Sequence, residues 1–170
     1  MSHLSPVTLR RIDAADLDAI LRVQAACYPP SMQEPAAVVA TRIKQAADTS
    51  TVAVHQNGAI LAYAFAYRSR MGAVTPLDAG FDVDPEGDTL YLHDLAVAPE
   101  AAGKGLAKRL AAQLLTQARD ARLAWCALVS VQDSRSFWGG LGYRAANCAQ
   151  KDALASYPGP ALYMLRPTAA

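Results

Sequence analysis

The chain has 170 residues, of which 52% are apolar and 18% charged, and its formal net charge is +1. This length is typical of one domain and suffices for a self-sufficient core, so we expect a single domain over residues 1–170. The composition excludes intrinsic disorder, which combines low hydrophobicity with high net charge. Because acidic and basic side chains nearly balance, no nucleic-acid partner is expected.

Targeting and metal-binding signals are also missing from the sequence. The longest apolar run, residues 59–67, is far shorter than the roughly 20 residues that cross a bilayer, so no membrane association is expected. No basic residue precedes Arg10, and no signal peptide is visible. We therefore expect a cytoplasmic protein. Cys27, Cys126 and Cys148 lack metal-ligand spacing, which predicts reduced thiols and no metal site.

The first third of the chain predicts, in order, a strand, two helices and a β-hairpin. Asp13 is a favourable N-cap, Tyr28-Pro29-Pro30 ends the first helix, and Pro35 suits the first turn of the second. Asn57-Gly58 is a strong signal for a two-residue hairpin turn. The predicted elements are strand 7–10, helix 13–27, helix 35–47, strand 51–56 and strand 59–68.

Residues 71–88 interrupt this regular pattern. They contain Pro76, Pro85 and three glycines without a helical or strand period, which predicts a long loop of the kind that is often functional. A nearly continuous apolar strand, a helix, a buried strand, a short helix and a last strand follow. These elements are predicted at residues 89–97, 103–120, 123–129, 133–139 and 161–165. The order indicates an α/β or α+β chain with a mixed sheet.

A glycine turn connects the strand at residues 89–97 to the following helix. Gly103 and Gly105 allow the backbone to approach a ligand, and the helix start adds partial positive charge. Lys104, Lys108 and Arg109 add cationic side chains. The turn is thus either a phosphate site or a plain strand-to-helix connection with solvated lysines. The P-loop pattern fails because Gly105 follows Lys104, and the dinucleotide fingerprint fails because position 108 is lysine.

The segment Val97-x-Pro99, followed by Ala102-Gly103-Lys104-Gly105-Leu106-Ala107, resembles the Arg/Gln-x-x-Gly-x-Gly/Ala signature of the GNAT superfamily of acyl-CoA-dependent N-acetyltransferases. The resemblance covers most of the chain, from Val7 to the last strand. It implies an α/β (α+β) fold with a mixed, mostly antiparallel sheet of about six or seven strands and helices on both faces. It also implies that main-chain N–H groups of this turn hold the CoA pyrophosphate. Ala102 stands where the family usually has Arg or Gln, so one side-chain contact is missing.

A second segment, residues 134–143, resembles the family's Ala-x-x-Phe-Tyr-x-x-x-Gly-Phe helix, which lines the pantetheine arm of CoA. Trp138 stands where many relatives carry a tyrosine that protonates the leaving thiolate, and an indole N–H is no usable acid. The resemblance further implies that the strands ending at Val97 and Val129 splay to admit the arm. The CoA-binding residues that it implies are Leu95, Ala96, Val97, Ala102, Gly103, Lys104, Gly105, Leu106, Ala107, Lys108, Ser134, Phe137 and Trp138.

His93 and Asp94 are polar residues inside an otherwise apolar strand. If buried they need partners, and strand alternation predicts that their side chains point to opposite faces. Relatives often use a strand carboxylate in this region to deprotonate the amine, and an imidazole also suits a general base. Either residue is therefore a candidate catalytic base, unless it only satisfies buried polar groups. Tyr63 and Tyr67, on one face of the hairpin strand, are expected to pack in the sheet.

The reaction that the resemblance implies is direct transfer of an acetyl or other acyl group from acetyl-CoA to an amine, with oxyanion stabilisation by N–H groups near Leu95–Val97. Residues 71–103 contain no Lys or Arg but include Asp82, Asp84 and Glu86. This acidic field either attracts a small cationic amine as acceptor or only aids solubility. The alternative functions are a non-catalytic acyl-CoA-binding or sensing module and an unrelated nucleotide-phosphate binder. A homodimer is compatible with the sequence.

Overall fold

A computed structural model describes residues 6–169. Its strands are β1 (Val7–Arg11), β2 (Thr51–His55), β3 (Ile60–Ser69), β4 (Thr89–Val97), β5 (Trp125–Ser130), β6 (Arg144–Ala145) and β7 (Leu162–Pro167). They form a seven-stranded sheet in the order β1-β2-β3-β4-β5-β7-β6. Within the described residues only β4 and β5 are parallel neighbours. The predicted mixed, mostly antiparallel sheet is therefore confirmed.

Five helices accompany the sheet in the described part of the chain: α1 (Leu17–Cys27), α2 (Ala36–Ala46), α3 (Leu106–Asp120), α4 (Arg135–Gly140) and α5 (Lys151–Ala155). A 3-10 turn at residues 14–16 precedes α1. Asp13 caps this turn by accepting a hydrogen bond from the Ala15 N–H at 2.8 Å, and Asp16 accepts the Asp13 N–H in return. Helix α5 and strand β6 were not predicted, because both are too short to show a period.

The two faces of the sheet have different cores. On one face Tyr63, Phe65 and Tyr67 of β3 pack with buried residues of α1 and α2. On the other face the alternate residues of β3 are alanines, which pack with Leu110 and the other buried residues of α3, and with Trp138 of α4. Helices therefore cover both faces, as the sequence predicted. None of the helices between residues 6 and 169 is long and apolar enough to cross a bilayer.

A β-bulge in β4 changes which way its side chains point. Phe65 of β3 pairs with Asp94 and Ala66 pairs with Leu92, so His93 is an extra residue without a cross-strand partner. An extra residue shifts the alternation by one position. His93 and Asp94 consequently point to the same face, among the aromatic side chains, and both line the same cavities. The prediction that they point to opposite faces is wrong because that prediction assumed an unbroken strand.

Strands β4 and β5 separate beyond their first few residues. Their parallel pairing extends from Thr89 opposite Trp125 to Leu92 opposite Leu128, and it ends there. The remaining residues of both strands, up to Val97 and Ser130, diverge and leave a gap in the middle of the sheet. The predicted splay of these strands is confirmed. The bulge lies at the start of this gap and directs two titratable side chains towards it.

Candidate active site

The gap between β4 and β5 holds a cavity of about 290 Å³. Six of the residues predicted to bind CoA line it: Leu95, Val97, Ala107, Ser134, Phe137 and Trp138. The side chains of Ala96 and Leu106 are instead buried in the two cores, so only their main chains are available to a ligand. The remaining predicted positions, Ala102–Gly105 and Lys108, are exposed around the start of α3. The structure thus brings the predicted CoA residues to the cavity and to the helix start above it.

The glycine turn leaves the N-terminus of α3 open. Gly103 and Gly105 have φ angles of +74° and +81°, which favour glycine, and a Cβ at either position would meet no atom within 4 Å. Gly105 is the N-cap residue, and no side chain caps the helix. The first N–H groups of a helix lack intrahelical acceptors, and the first turn of α3 contains no acidic residue. This end of α3 is suited to an anion such as a pyrophosphate.

Asp94 is a half-buried carboxylate held by two tyrosines. The Tyr28 hydroxyl donates to its Oδ1 and the Tyr63 hydroxyl donates to its Oδ2, each at 2.6 Å. Burial raises the pKa of Asp94, and this effect outweighs the two hydrogen bonds and the nearby His93, which lower it. Burial also raises the pKa of both tyrosines well above the usual value, so they remain phenols. Tyr63, which was expected only to pack, therefore also fixes the carboxylate.

His93 belongs to a buried charge network. Its Nε2 atom lies 3.0 Å from Glu34 Oε1, and because a carboxylate only accepts, this nitrogen carries the proton. The same Glu34 oxygen lies 2.5 Å from Arg42 Nη1, and Oε2 accepts the Asp78 N–H at 2.9 Å. Burial raises the pKa of Glu34, but hydrogen bonds and charges from His93 and Arg42 outweigh it and lower the pKa to about 2. The His93 side chain is only 1% exposed.

A small chamber continues the cavity on the far side of Asp94. It has a volume of about 30 Å³ and shares Tyr28, His93 and Asp94 with the larger cavity. Glu34, Tyr157 and four apolar residues complete its walls, and two of these apolar residues, Val129 and Val131, also line the larger cavity. The Tyr157 hydroxyl donates to Thr75 O at 2.8 Å and lies 3.5 Å from His93 Nδ1. A ligand that reaches Asp94 from this side therefore meets a narrow space with acidic groups.

The three acidic loop residues predicted to bind the acceptor lie outside this cavity and its chamber. Asp84 forms an ion pair with Arg70 at 2.8 Å, and Glu86 is exposed. Asp82 lines a separate surface cavity of about 620 Å³, which Arg70 and Lys151 also line. Among residues 6–169, no three His, Cys, Asp or Glu side chains are close enough to hold a metal ion.

Four residues of the site were not singled out from the sequence: Tyr28, Glu34, Arg42 and Tyr157. Tyr28 was noted only as part of the Tyr-Pro-Pro segment that ends α1. Glu34 precedes Pro35, the N-cap residue of α2, and Arg42 lies on the buried face of that helix. Arg42 offered the clearest sequence signal, because it interrupts the apolar face of a predicted helix between Val39 and Ile43. Their convergence on His93 depends on tertiary packing.

Comparisons with known proteins agree with this geometry. A model of the acetyltransferase (GNAT) family matches residues 17–143, well over half of the chain. The fold is similar to that of the GphF GNAT-like decarboxylase in complex with isobutyryl-CoA, with a TM-score of 0.81, 20% identity and coverage of 95% of this chain and 99% of that one. The fold is also similar to that of the loading GNATL domain of CurA from Lyngbya majuscula, with a TM-score of 0.75, 14% identity and coverage of 96% of this chain and 98% of that one.

A third solved structure with a similar fold is the ribosomal-protein-S18-alanine N-acetyltransferase from Escherichia coli. Its TM-score is 0.72 at 17% identity, with coverage of 97% of this chain and 96% of that one. A search of curated proteins finds no match. At these identities the structural likeness shows a common fold, whereas the match to the family model shows membership. The chain belongs to the GNAT acetyltransferase family and is an acyltransferase that takes its acyl group from an acyl-CoA.

Proposed function

We propose that the protein transfers an acetyl or other short acyl group from acyl-CoA directly to a small primary amine. The observation that carries this proposal is the position of Asp94. Its carboxylate lies in the gap between β4 and β5, where the larger cavity meets the narrow chamber. An amine entering from the chamber would meet the carboxylate beside the thioester of an acyl-CoA in the cavity.

The CoA moiety follows the gap in this proposal. The pyrophosphate binds the open N-terminus of α3 at Gly103–Lys108, and the pantetheine arm lies between Leu95 and Val97 on one side and Phe137 and Trp138 on the other. Ala98, which directly follows β4, donates its N–H to Leu61 O of β3. Because main-chain groups alternate along a strand, the N–H groups of Leu95 and Val97 point the opposite way, into the gap. They are suited to stabilise the oxyanion of the tetrahedral intermediate.

Asp94 acts as the general base, and His93 is a positioning residue. The raised pKa of Asp94 makes it a stronger base than an ordinary aspartate at neutral pH. His93 Nε2 already faces Glu34, and the buried ring offers little access to an amine. His93 instead connects β4 to the Glu34–Arg42 pair, which supports the backbone at the bulge.

The acceptor that best suits the chamber is small and cationic. A space of about 30 Å³ fits the reacting end of an amine, and the Asp94 carboxylate favours positive charge there, whereas Arg42 offsets the charge of Glu34. Asp82 and Glu86 are exposed outside the chamber, and Asp84 is offset by Arg70, so any attraction of the acceptor by this loop acts through the long-range field. A combined Asp82→Asn, Asp84→Asn and Glu86→Gln variant should raise the KM for the amine and flatten its salt dependence. A kinetically silent variant would show that this loop does not guide the acceptor.

The direct test measures CoA release from acetyl-CoA with a thiol reagent, across a panel of small amines. We expect amine-dependent release, and we expect Asp94→Asn to lower kcat by roughly 10²–10⁴-fold while acetyl-CoA affinity stays unchanged. Asp18→Asn, on the exposed face of α1, is the matched control. Acetyl-CoA binding without release on any amine would contradict the proposal and favour a binding or sensing role. Full activity of Asp94→Asn would place the base elsewhere.

A second candidate reaction is decarboxylation of a carboxylated acyl-CoA. The small size of the chamber favours it, because this reaction needs no separate acceptor. Asp94 opposes it, since the substrate carboxylate would face a second carboxylate without an intervening cation. Carbon dioxide release from malonyl-CoA in the absence of amine, compared with the amine-dependent assay, distinguishes the two reactions.

A further inference from the structure

Acyl transfer from a thioester leaves a thiolate that ends as a thiol, so a proton must come from water or from a side chain that lines the cavity. Trp138 lines the cavity next to Phe137, but an indole N–H is not a usable acid. Ser134 also lines the cavity, and its hydroxyl is engaged in a 2.7 Å hydrogen bond to Val131 O. Among the described residues that line the cavity, Tyr28 carries the only phenol. It is therefore the side chain to consider as proton donor.

Tyr28 is held in place from several directions. It directly follows α1, its extended backbone donates to Gln24 O, and Gln33 Nε2 donates to its carbonyl at 2.9 Å. Pro29 restricts the residue further, because proline disfavours helical backbone in the residue before it. These contacts place the hydroxyl 2.6 Å from Asp94 Oδ1 and 3.3 Å from Leu95 O. The phenol thus contacts both the proposed base and the main chain of Leu95, whose N–H is proposed to stabilise the oxyanion.

We propose that Tyr28 is the proton donor to the leaving thiolate and that Asp94 reprotonates it in the same step. The acceptor ammonium first loses one proton to solvent. The lone pair of the neutral amine then forms the C–N bond, the C–S bond breaks, and its electron pair stays on sulfur. Asp94 takes the second proton, which the nitrogen loses as the C–N bond forms. Tyr28 gives its phenolic proton to sulfur while Asp94 passes its proton to the phenol oxygen. Both side chains end as they began, and no further reactant is needed.

The coupling to Asp94 explains how so weak an acid can act. A phenol that gave up its proton alone would leave a tyrosinate beside a carboxylate, which is unfavourable in a buried site. When Asp94 holds the amine proton, the 2.6 Å hydrogen bond lets both protons move together and no tyrosinate accumulates. This inference rests on the proposed function, because Asp94 must first collect a proton from the acceptor.

Tyr63 provides a matched control. Its hydroxyl makes a hydrogen bond of the same length to the other Asp94 oxygen, but the side chain is fully buried and does not line the cavity. Tyr28→Phe and Tyr63→Phe each remove one such bond from Asp94. Only Tyr28→Phe removes a phenol that lines the cavity proposed to hold the thioester. The two variants should disturb Asp94 equally, so any additional loss of activity in Tyr28→Phe measures proton donation by Tyr28.

The experiment compares both variants with acetyl-CoA and with S-acetyl thiophenol, an aryl thioester whose thiolate leaves without protonation. With acetyl-CoA and saturating amine, we expect Tyr28→Phe to lower kcat by roughly 10²-fold, with the KM for acetyl-CoA unchanged. Because both variants remove one hydrogen bond from Asp94, each should show a modest loss with either donor. With the aryl thioester the two losses should be equal, whereas with acetyl-CoA the loss for Tyr28→Phe should exceed that for Tyr63→Phe. Thermal stabilisation by acetyl-CoA confirms that each variant is folded and binds.

Three results would overturn the inference. Equal losses for the two variants, with both donors, would mean that Tyr28 only positions Asp94. A wild-type rate for Tyr28→Phe with acetyl-CoA would mean that the proton comes from elsewhere. A wild-type protein that releases no CoA with any amine would refute the proposed function and this inference together, whereas the first two results refute only the role of Tyr28.

Discussion

The buried Glu34–Arg42 pair makes a quantitative prediction about stability. The two side chains are 4% and 1% exposed, and Glu34 Oε1 lies 2.5 Å from Arg42 Nη1. Glu34→Gln keeps the shape of the side chain but removes its charge, which leaves the Arg42 guanidinium buried without a counter-ion. Arg42 retains its hydrogen bonds to Ala79 O and its contact with the Phe81 ring at 5.0 Å, but neither supplies a negative charge.

The lowered pKa of Glu34 gives the free energy by which its charged form stabilises the fold. The pKa falls from 4.5 to about 2 on folding. At about 1.4 kcal/mol for each tenfold change in proton affinity, the charged form stabilises the fold by about 3 kcal/mol. Breaking a buried ion pair by removing one partner typically costs about 3–5 kcal/mol, which agrees. For a chain of this size, the melting temperature should fall by roughly 6–12 °C.

The pH dependence has a definite sign. Because folding lowers the pKa of Glu34, the stabilisation is complete above pH 4.5 and is lost as the pH falls towards about 2. Urea unfolding of the wild type and of Glu34→Gln at pH 7 and at pH 3.5 measures this loss. The difference in unfolding free energy should be smaller at pH 3.5. Glu86→Gln, an exposed position, is the control and should change stability by less than about 0.5 kcal/mol. Equal stability of Glu34→Gln and wild type at pH 7, or a difference independent of pH, would refute the reasoning.

Three further predictions concern the phosphate site, the base and the core. Gly105→Glu should nearly abolish acetyl-CoA binding in a thermal-shift assay. The control Gly58→Glu, at a hairpin turn with a similar positive φ of +89°, should bind acetyl-CoA normally. Equal binding by both variants would exclude the turn before α3 as the pyrophosphate site. Asp94→Asn should have a melting temperature no lower than that of the wild type at pH 8, because the raised pKa of Asp94 means that its charged form opposes folding. Any difference in melting temperature should close as the pH falls. A variant that melts well below the wild type at pH 8 would contradict this. Leu110→Ala, at a fully buried position of α3, should cost about 2–5 kcal/mol in urea unfolding, and a cost below about 1 kcal/mol would mean that the core collapses around the deletion.

Much of the fold followed from local sequence signals. The alternation in β3 separated its aromatic residues from its alanines, and Asn57-Gly58 lies in the hairpin turn. Two details differ from the prediction: Asp13 caps the 3-10 turn before α1 rather than α1 itself, and the hairpin loop has three residues, 56–58, with positive φ only at Gly58. These features depend on residues close in sequence, whose backbone preferences and side-chain periods act locally. The glycine turn before α3 belongs to the same class, because two glycines with positive φ and an uncapped helix start need no distant partner.

The arrangement around Asp94 was decided by tertiary structure. The bulge at His93 depends on the register between β3 and β4, and it moves His93 to the same face as Asp94. Tyr28, Glu34 and Tyr63 reach this pair from sequence separations of 31 to 66 residues. No local pattern encodes such contacts, since each chain segment would satisfy its own propensities without them. The sequence by itself therefore determined most of the elements and the glycine turn that is suited to an anion, whereas packing between distant segments determined which carboxylate faces the gap and which phenols hold it.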